Sequence, residues 1–353
     1  MKRILALALA IILAFSLVSC GEKKTDVNKK YSSDTLKIYL PGEYLGENVI
    51  SDFEKKFGVH VIVELFDSNE MMYTKLQSGD KYDVLIPSDY MVERLMGEDY
   101  LAKLDYTKIP NTSAIYSKVP YPETMKPYAV PYFWGSVGLV YNHNNVDKND
   151  VESQGYGVLK NEKYKGKIYV YDSERDSFMM AFKNLGYSMN TDKEEEITAA
   201  YNWLCELDST MEPIYVTDEV IDDMANGLKD IAVVYSGDAA YILSENEDMS
   251  FFLPNEGTNF WTDYMVVPKN AANPELAHEF INFFLEYKTA YDNSEYVGYD
   301  SPVEKVYNDL ANGEYKGNEA YVTREMGEKD EMFSYNSYLT KRLSELWVKV
   351  MAS

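Results

Sequence analysis

From residue 36 the chain switches between short apolar runs and helical periodicity. Residues 36–40 predict a strand. Val49, Phe53 and Phe57 recur at i, i+4 and i+8 and predict a helix stopped by Gly58, and residues 60–66 predict a second strand. Ser68 or Asn69 caps the next helix, which keeps Met72 and Leu76 on one face and ends near Gly79; residues 82–86 predict a third strand, stopped by Pro87. Strand, helix, strand in repetition predicts a parallel sheet with helices on both faces, in which ligands bind beyond the carboxyl ends of the strands. Glu43-Tyr44 and Ser88-Asp89-Tyr90 directly follow the first and third strands, where such a sheet places its ligands.

Pro120, Pro122, Pro127 and Pro131 interrupt this pattern, and residues 134–141 then predict an extended segment crossing to a second α/β unit. That unit has predicted strands near 168–171, 214–216, 231–235 and 251–253, separated by helical stretches around 177–185, 194–207 and 239–246. Glu194-Glu195-Glu196 opens a helix, where negative charge suits the positive end of the dipole. Residues 265–267 predict a further strand, 274–287 a helix with Pro274 in its first turn, and 335–350 a closing helix.

The amino terminus changes the picture. Lys2-Arg3, an apolar run over 4–18 and Ser19-Cys20 read as an export signal, too short for a transmembrane helix. Leu17-Val18-Ser19-Cys20 resembles the lipobox of bacterial lipoproteins, so residues 1–19 are expected to be removed, Cys20 to carry the lipid, and the polar stretch 21–34 to serve as a tether. Cys205 is then left without a partner in the chain and is expected to be a buried apolar residue. The 334 residues from Cys20 onward suggest two domains. The formal charge is −24, and −26 without Lys2 and Arg3. Such a field disfavours nucleic acid and anionic lipid surfaces as partners and attracts cations.

Candidate chemistry centres on Asn259-Phe260-Trp261-Thr262-Asp263-Tyr264, which interleaves rings with a carboxylate. An alkylammonium is attracted to an indole or phenol face by about 0.5–2 kcal/mol per ring, and a charged hydrogen bond to a carboxylate adds roughly 1.5–3 kcal/mol. Similar pairs recur at Glu43-Tyr44, Asp89-Tyr90 and Tyr235 with Asp238. His60, His143 and His278 have no metal-ligand spacing, and there is no P-loop, so neither a metal nor a cofactor is expected. The 32 tyrosines are expected mainly at the surface or in strands. Composition alone leaves open a two-carboxylate hydrolase.

Glu43-Tyr44, Ser68-Asn69-Glu70 with Met72-Tyr73 and Lys75-Leu76, Tyr82-Asp83-Val84 leading to Pro87-Ser88-Asp89-Tyr90, Pro131-Tyr132-Phe133-Trp134-Gly135, Tyr164-Lys165-Gly166, Trp261-Thr262-Asp263 and Gly298-Tyr299 resemble, in order, the motifs of the spermidine/putrescine-binding proteins of bacterial ABC importers. The resemblance implies an α/β, two-lobed periplasmic-binding-protein fold of type II-like form, with lobe 1 at 36–136 and 264–303 and lobe 2 at 137–263 and 304–353, joined by crossing strands. It implies a monomeric, non-enzymatic receptor, lipid-anchored outside the cytoplasmic membrane or in the periplasm, that delivers a polyamine to an ABC permease. Carried over position by position, Glu43, Tyr44, Ser88, Tyr90, Asp176, Tyr235, Trp261, Asp263 and Tyr299 would form the ligand site. Three departures bear on specificity: Pro41-Gly42 replaces a Trp-Thr pair, Ser173 stands where relatives can be acidic, and Tyr235 stands where they usually have Trp. A glutamine contributed late in some relatives has no clear match around Met332-Phe333. The choice between putrescine and spermidine stays open, and a same-fold receptor for another cationic solute or a sugar is the alternative.

Overall fold

The computed structural model describes residues 30–352; the leader 1–19, Cys20 and the first part of the tether lie outside the described residues. The strands are β1 (Thr35–Pro41), β2 (His60–Phe66), β3 (Val84–Leu85), β4 (Ala129–Asn142), β5 (Ile168–Tyr171), β6 (Ile214–Val216), β7 (Ile231–Tyr235), β8 (Met249–Phe252) and β9 (Phe260–Val266). The first half carries helices α1 (Val49–Phe57), α2 (Asn69–Gln77) and α3 (Asp89–Gly97). The second carries α4 (Lys148–Gln154), α5 (Glu174–Asn184), α6 (Glu194–Met211), α7 (Glu219–Ala225) and α8 (Ser236–Glu245). The chain ends with α9 (Pro274–Phe284), α10 (Tyr287–Val297), α11 (Glu304–Asn312) and α12 (Ser337–Val350).

Local chemistry explains the early elements. Gly58 takes a left-handed φ of 68° at the end of α1 and returns its N–H to the carbonyl of Glu54, and the Ser68 side chain accepts from the Met71 N–H at 3.2 Å to start α2. Alternation along β1 sends Leu36, Ile38 and Leu40 into one core with Phe53, and Tyr39 into another with Met72 and Tyr82.

The strand order is β2-β1-β3-β9-β4-β7-β5-β6, with β8 also on β4. β1 pairs in parallel with β2 and β3, and β5 in parallel with β6 and β7. The two parallel halves are joined by antiparallel β4 and β9, so the sheet is mixed rather than wholly parallel. Residues 129–136 of β4 pair with β9, while 137–141 pair with β7 and 139–142 with β8. One fully buried fourteen-residue strand therefore runs from one half into the other. Pro131, which lacks an N–H, sits where the register with β9 shifts between Pro131 and Phe133.

Several boundaries differ from expectation. The predicted third strand shortens to Val84–Leu85, and the strand predicted at 265–267 begins at Phe260, so the aromatic-acid stretch is itself strand. The helix predicted over 274–287 ends at Phe284; Glu286 is extended and starts α10. Cys205 is half-buried rather than buried. Tyr82, Tyr156 and Tyr321 fill core outside any strand, because each has a partner there: Tyr82 stacks on Tyr39 at 4.6 Å, Tyr321 on Tyr315 at 4.3 Å, and the Tyr156 hydroxyl shares a hydrogen bond with that of Thr258 at 2.7 Å. After Tyr299 the chain packs α11 on α10, where Tyr287 donates to Asp309 at 2.6 Å, and then α12 on α5 and α6, where Ser344 donates to Glu174 at 2.6 Å.

Candidate functional site

The period of two along β9 sorts its residues. Thr262 and Tyr264 face backwards, and both donate to the carbonyl of Pro120 at 2.8 Å. Trp261 and Asp263 therefore share the opposite face, between the two halves of the sheet. Opposite Trp261 on β4 stands Gly135, where a Cβ would lie 2.8 Å from the indole and 2.6 Å from Ser236 Oγ; a side chain there would push the ring out. At Gly237 a Cβ would lie 2.1 Å from the Tyr299 ring. These two glycines let the rings close on one another.

Trp261 is 7% exposed and meets Tyr299 edge-on at 5.1 Å and Tyr235 at 6.0 Å. Tyr299 in turn lies 5.8 Å from Tyr44. Each of these three tyrosines donates its hydroxyl to a different carboxylate. Tyr44 reaches Asp263 Oδ2 at 2.7 Å, Tyr235 reaches Asp176 Oδ2 at 2.7 Å, and Tyr299 reaches Asp238 Oδ1 at 3.0 Å. One indole thus stands among three tyrosine–aspartate pairs. Its own Nε1 is buried without an acceptor among the described residues, as is Asp176 Oδ1 without a donor.

Local structure aims each acid. Ser173 caps α5, and its hydroxyl donates to Asp176 Oδ2 at 2.8 Å, so this serine orients Asp176. Asp238 sits in the first turn of α8. Ser88 bridges Asp263 through the backbone, and is itself fixed by Asn69, whose side chain accepts from the Ser88 N–H at 3.0 Å and donates to its hydroxyl at 3.1 Å.

Burial pushes the Asp263 carboxyl up to about 6, against the hydrogen bonds from Ser88 and Tyr44, and pushes Asp238 up to about 7 against that from Tyr299. Asp176 is raised by burial too, partly offset by Tyr235, Ser173 and the Arg175 charge. The site is an aromatic box holding desolvated acids, which suits a ligand that brings its own positive charge.

Seven of the nine expected residues belong to this cluster or frame it: Tyr44, Ser88, Asp176, Tyr235, Trp261, Asp263 and Tyr299. Two lie apart from it. Glu43 is exposed in a turn with φ of 54°, and makes no side-chain hydrogen bond or ion pair among the described residues. Tyr90 is buried, and one face of its ring is covered by the Arg175 guanidinium at 3.7 Å. Asp238 was visible in the sequence only as an acid three residues after Tyr235; its place beside Tyr299 depends on two distant segments meeting. Among the described residues no group of three or more His, Cys, Asp or Glu could hold a metal ion.

Residues 48–323 match the family described as bacterial extracellular solute-binding protein. The chain is 31% identical over 293 residues to the spermidine/putrescine-binding periplasmic protein of Escherichia coli, covering 81% of this chain and 83% of that protein. Its fold is similar to that of a spermidine/putrescine ABC transporter protein from Listeria monocytogenes, with a TM-score of 0.82 and 34% identity over 90% of this chain and 99% of the other. A solved spermidine/putrescine ABC transporter substrate-binding protein from Streptococcus pneumoniae gives a TM-score of 0.77 and 33% identity over 91% and 99%. The periplasmic-binding-protein fold, the aromatic box between its halves and these likenesses agree: the chain belongs to the spermidine/putrescine-binding proteins, within the bacterial extracellular solute-binding family.

Proposed function

We propose that this protein captures a polyamine, spermidine or putrescine, between two closing lobes outside the cytoplasm and delivers it to an ABC permease. The observation that carries this reading is Trp261 enclosed by the Tyr44–Asp263, Tyr235–Asp176 and Tyr299–Asp238 pairs. The family consists of transporter solute-binding proteins rather than enzymes. A linear diamine or triamine carries ammonium groups separated by methylenes, so it needs acids for the groups and ring faces for the stem. Asp263, Asp176 and Asp238 serve the first need; Trp261, Tyr44, Tyr235 and Tyr299 serve the second. A micromolar site requires about −8 kcal/mol, within reach of two charged contacts and two or three ring contacts after ordering costs.

The lobes we assign are 36–136 with 264–303 and 137–263 with 304–353, hinged on β4, β9 and the segment after Tyr299. Ligand contacts reaching both lobes favour the shut form. A thermal-shift panel tests the reading: putrescine, spermidine or spermine at 100 times its dissociation constant stabilises the fold by about 2.7 kcal/mol, raising the melting point, while neutral oligosaccharides leave it unchanged. A melting point raised by a sugar and indifferent to every polyamine would refute it. We further assign lipid attachment to Cys20, from the lipobox-like 17–20. Cys20→Ser is expected to move the protein from the membrane pellet to the soluble fraction of its native host; retention in the pellet would count against the anchor.

A further inference from the structure

Arg175 lies immediately before Asp176, in the first turn of α5, yet its side chain leaves the second half of the sheet. Its Nη2 donates to Glu70 Oε1 at 2.6 Å, at the start of α2, and its guanidinium lies flat enough on Tyr90 of α3 for a centroid distance of 3.7 Å. The Tyr90 hydroxyl completes the triangle by donating to Glu70 Oε1 at 3.3 Å. Burial of Arg175 opposes its charge, but Tyr90, Glu70 and Glu174 outweigh it and keep the guanidinium protonated.

Each corner is tied to a ligand-facing acid. Asn69, next to Glu70, holds Ser88, which bridges Asp263; Tyr90 is two residues after Ser88; Arg175 adjoins Asp176, which Tyr235 and Ser173 hold. Drawing Arg175 onto Glu70 and Tyr90 therefore draws the Asp176 wall onto Ser88, the first-lobe residue bridged to Asp263. One face of the Tyr90 ring is thus given to an internal cation rather than to a ligand ammonium. From this geometry we infer that Glu70, Arg175 and Tyr90 form an interlobe latch, with Glu70 and Arg175 as positioning residues that set how slowly ligand leaves rather than which ligand enters.

The inference rests in part on polyamine capture, so its test has one arm that needs no ligand. In stopped-flow release of spermidine, Glu70→Gln and Arg175→Gln are each expected to raise the dissociation rate by roughly 3- to 10-fold, the scale of one exposed ion pair and one ring contact. The association rate changes by less than about twofold, since most interface changes act on dissociation. Arg175→Lys, which keeps the charge but not the planar stack, falls between. Raising salt speeds release from Glu70→Gln less than from the wild type, the remaining response coming from the ion pairs of the ligand itself. A general packing defect would reproduce neither the graded Lys rescue nor the reduced salt response. In the second arm, small-angle scattering without added polyamine is expected to show a larger radius of gyration for both Gln variants than for the wild type. Release rates within twofold of wild type, together with unchanged scattering, would overturn the latch. If the wild type does not bind spermidine, capture fails as a reading and the scattering arm alone decides the latch: wider Gln variants uphold it, identical curves refute it.

Discussion

Asp263→Asn is expected to weaken spermidine and putrescine binding by roughly 100-fold or more in isothermal titration calorimetry, and Asp263→Ala by at least as much. The magnitude follows from burial. Asp263 is 4% exposed, so an ammonium that reaches it has given up its water and depends on the carboxylate in return. Removing one member of such a buried charge pair costs about 2–5 kcal/mol. The asparagine keeps the shape and can still accept the Tyr44 hydroxyl now bound at 2.7 Å, so the loss reports charge rather than collapse of the box. Near-native affinity in the asparagine variant would remove Asp263 from the site.

Affinity is expected to fall by about a thousandfold from pH 8 to pH 5. Each acid that must ionise to meet an ammonium costs about a factor of ten per pH unit below its folded pKa. With Asp238 near 7 and Asp263 near 6, the profile bends at both values. Unperturbed carboxylates titrate near 4 and would leave affinity level to pH 5. The sign is fixed by linkage: the free protein holds a proton that the complex does not, so binding near pH 6.5 releases protons, seen as a heat that varies with the buffer. Asp238→Asn removes the upper bend. Folding stability moves the other way, because these raised acids bind more protons than the unfolded chain between about pH 4 and their folded values. Their contribution to stability thus declines as pH rises through 6 to 7, and the melting-point difference of Asp238→Asn over wild type grows across that window. Affinity flat from pH 8 to 5 would contradict charge pairing by these acids.

Much of the fold was legible because it is written locally. Gly58, Ser68 and the run His60–Phe66 mark their own boundaries through a left-handed cap, a side-chain cap and an apolar strand. α3 is not marked in the sequence: Asp89 and Tyr90, which follow the predicted third strand, lie in its first turn. The mixed character of the sheet was hidden as well, since β4 and β9 read as strands whatever the direction of their neighbours.

By itself the sequence determined which residues could make a cation site, because ring and carboxylate chemistry travels with residue type: Trp261 and Asp263 two apart just before a predicted strand, Glu43-Tyr44 just beyond another, and Asp176 through the family resemblance. Tertiary structure alone decided which of them meet. Asp238 joined through Tyr299, 61 positions away; Glu43 turned outward; Tyr90 was taken by Arg175. It also decided their acidity, since a carboxylate's pKa depends on how much water the surrounding chain removes, and that is a property of segments brought together from across the molecule.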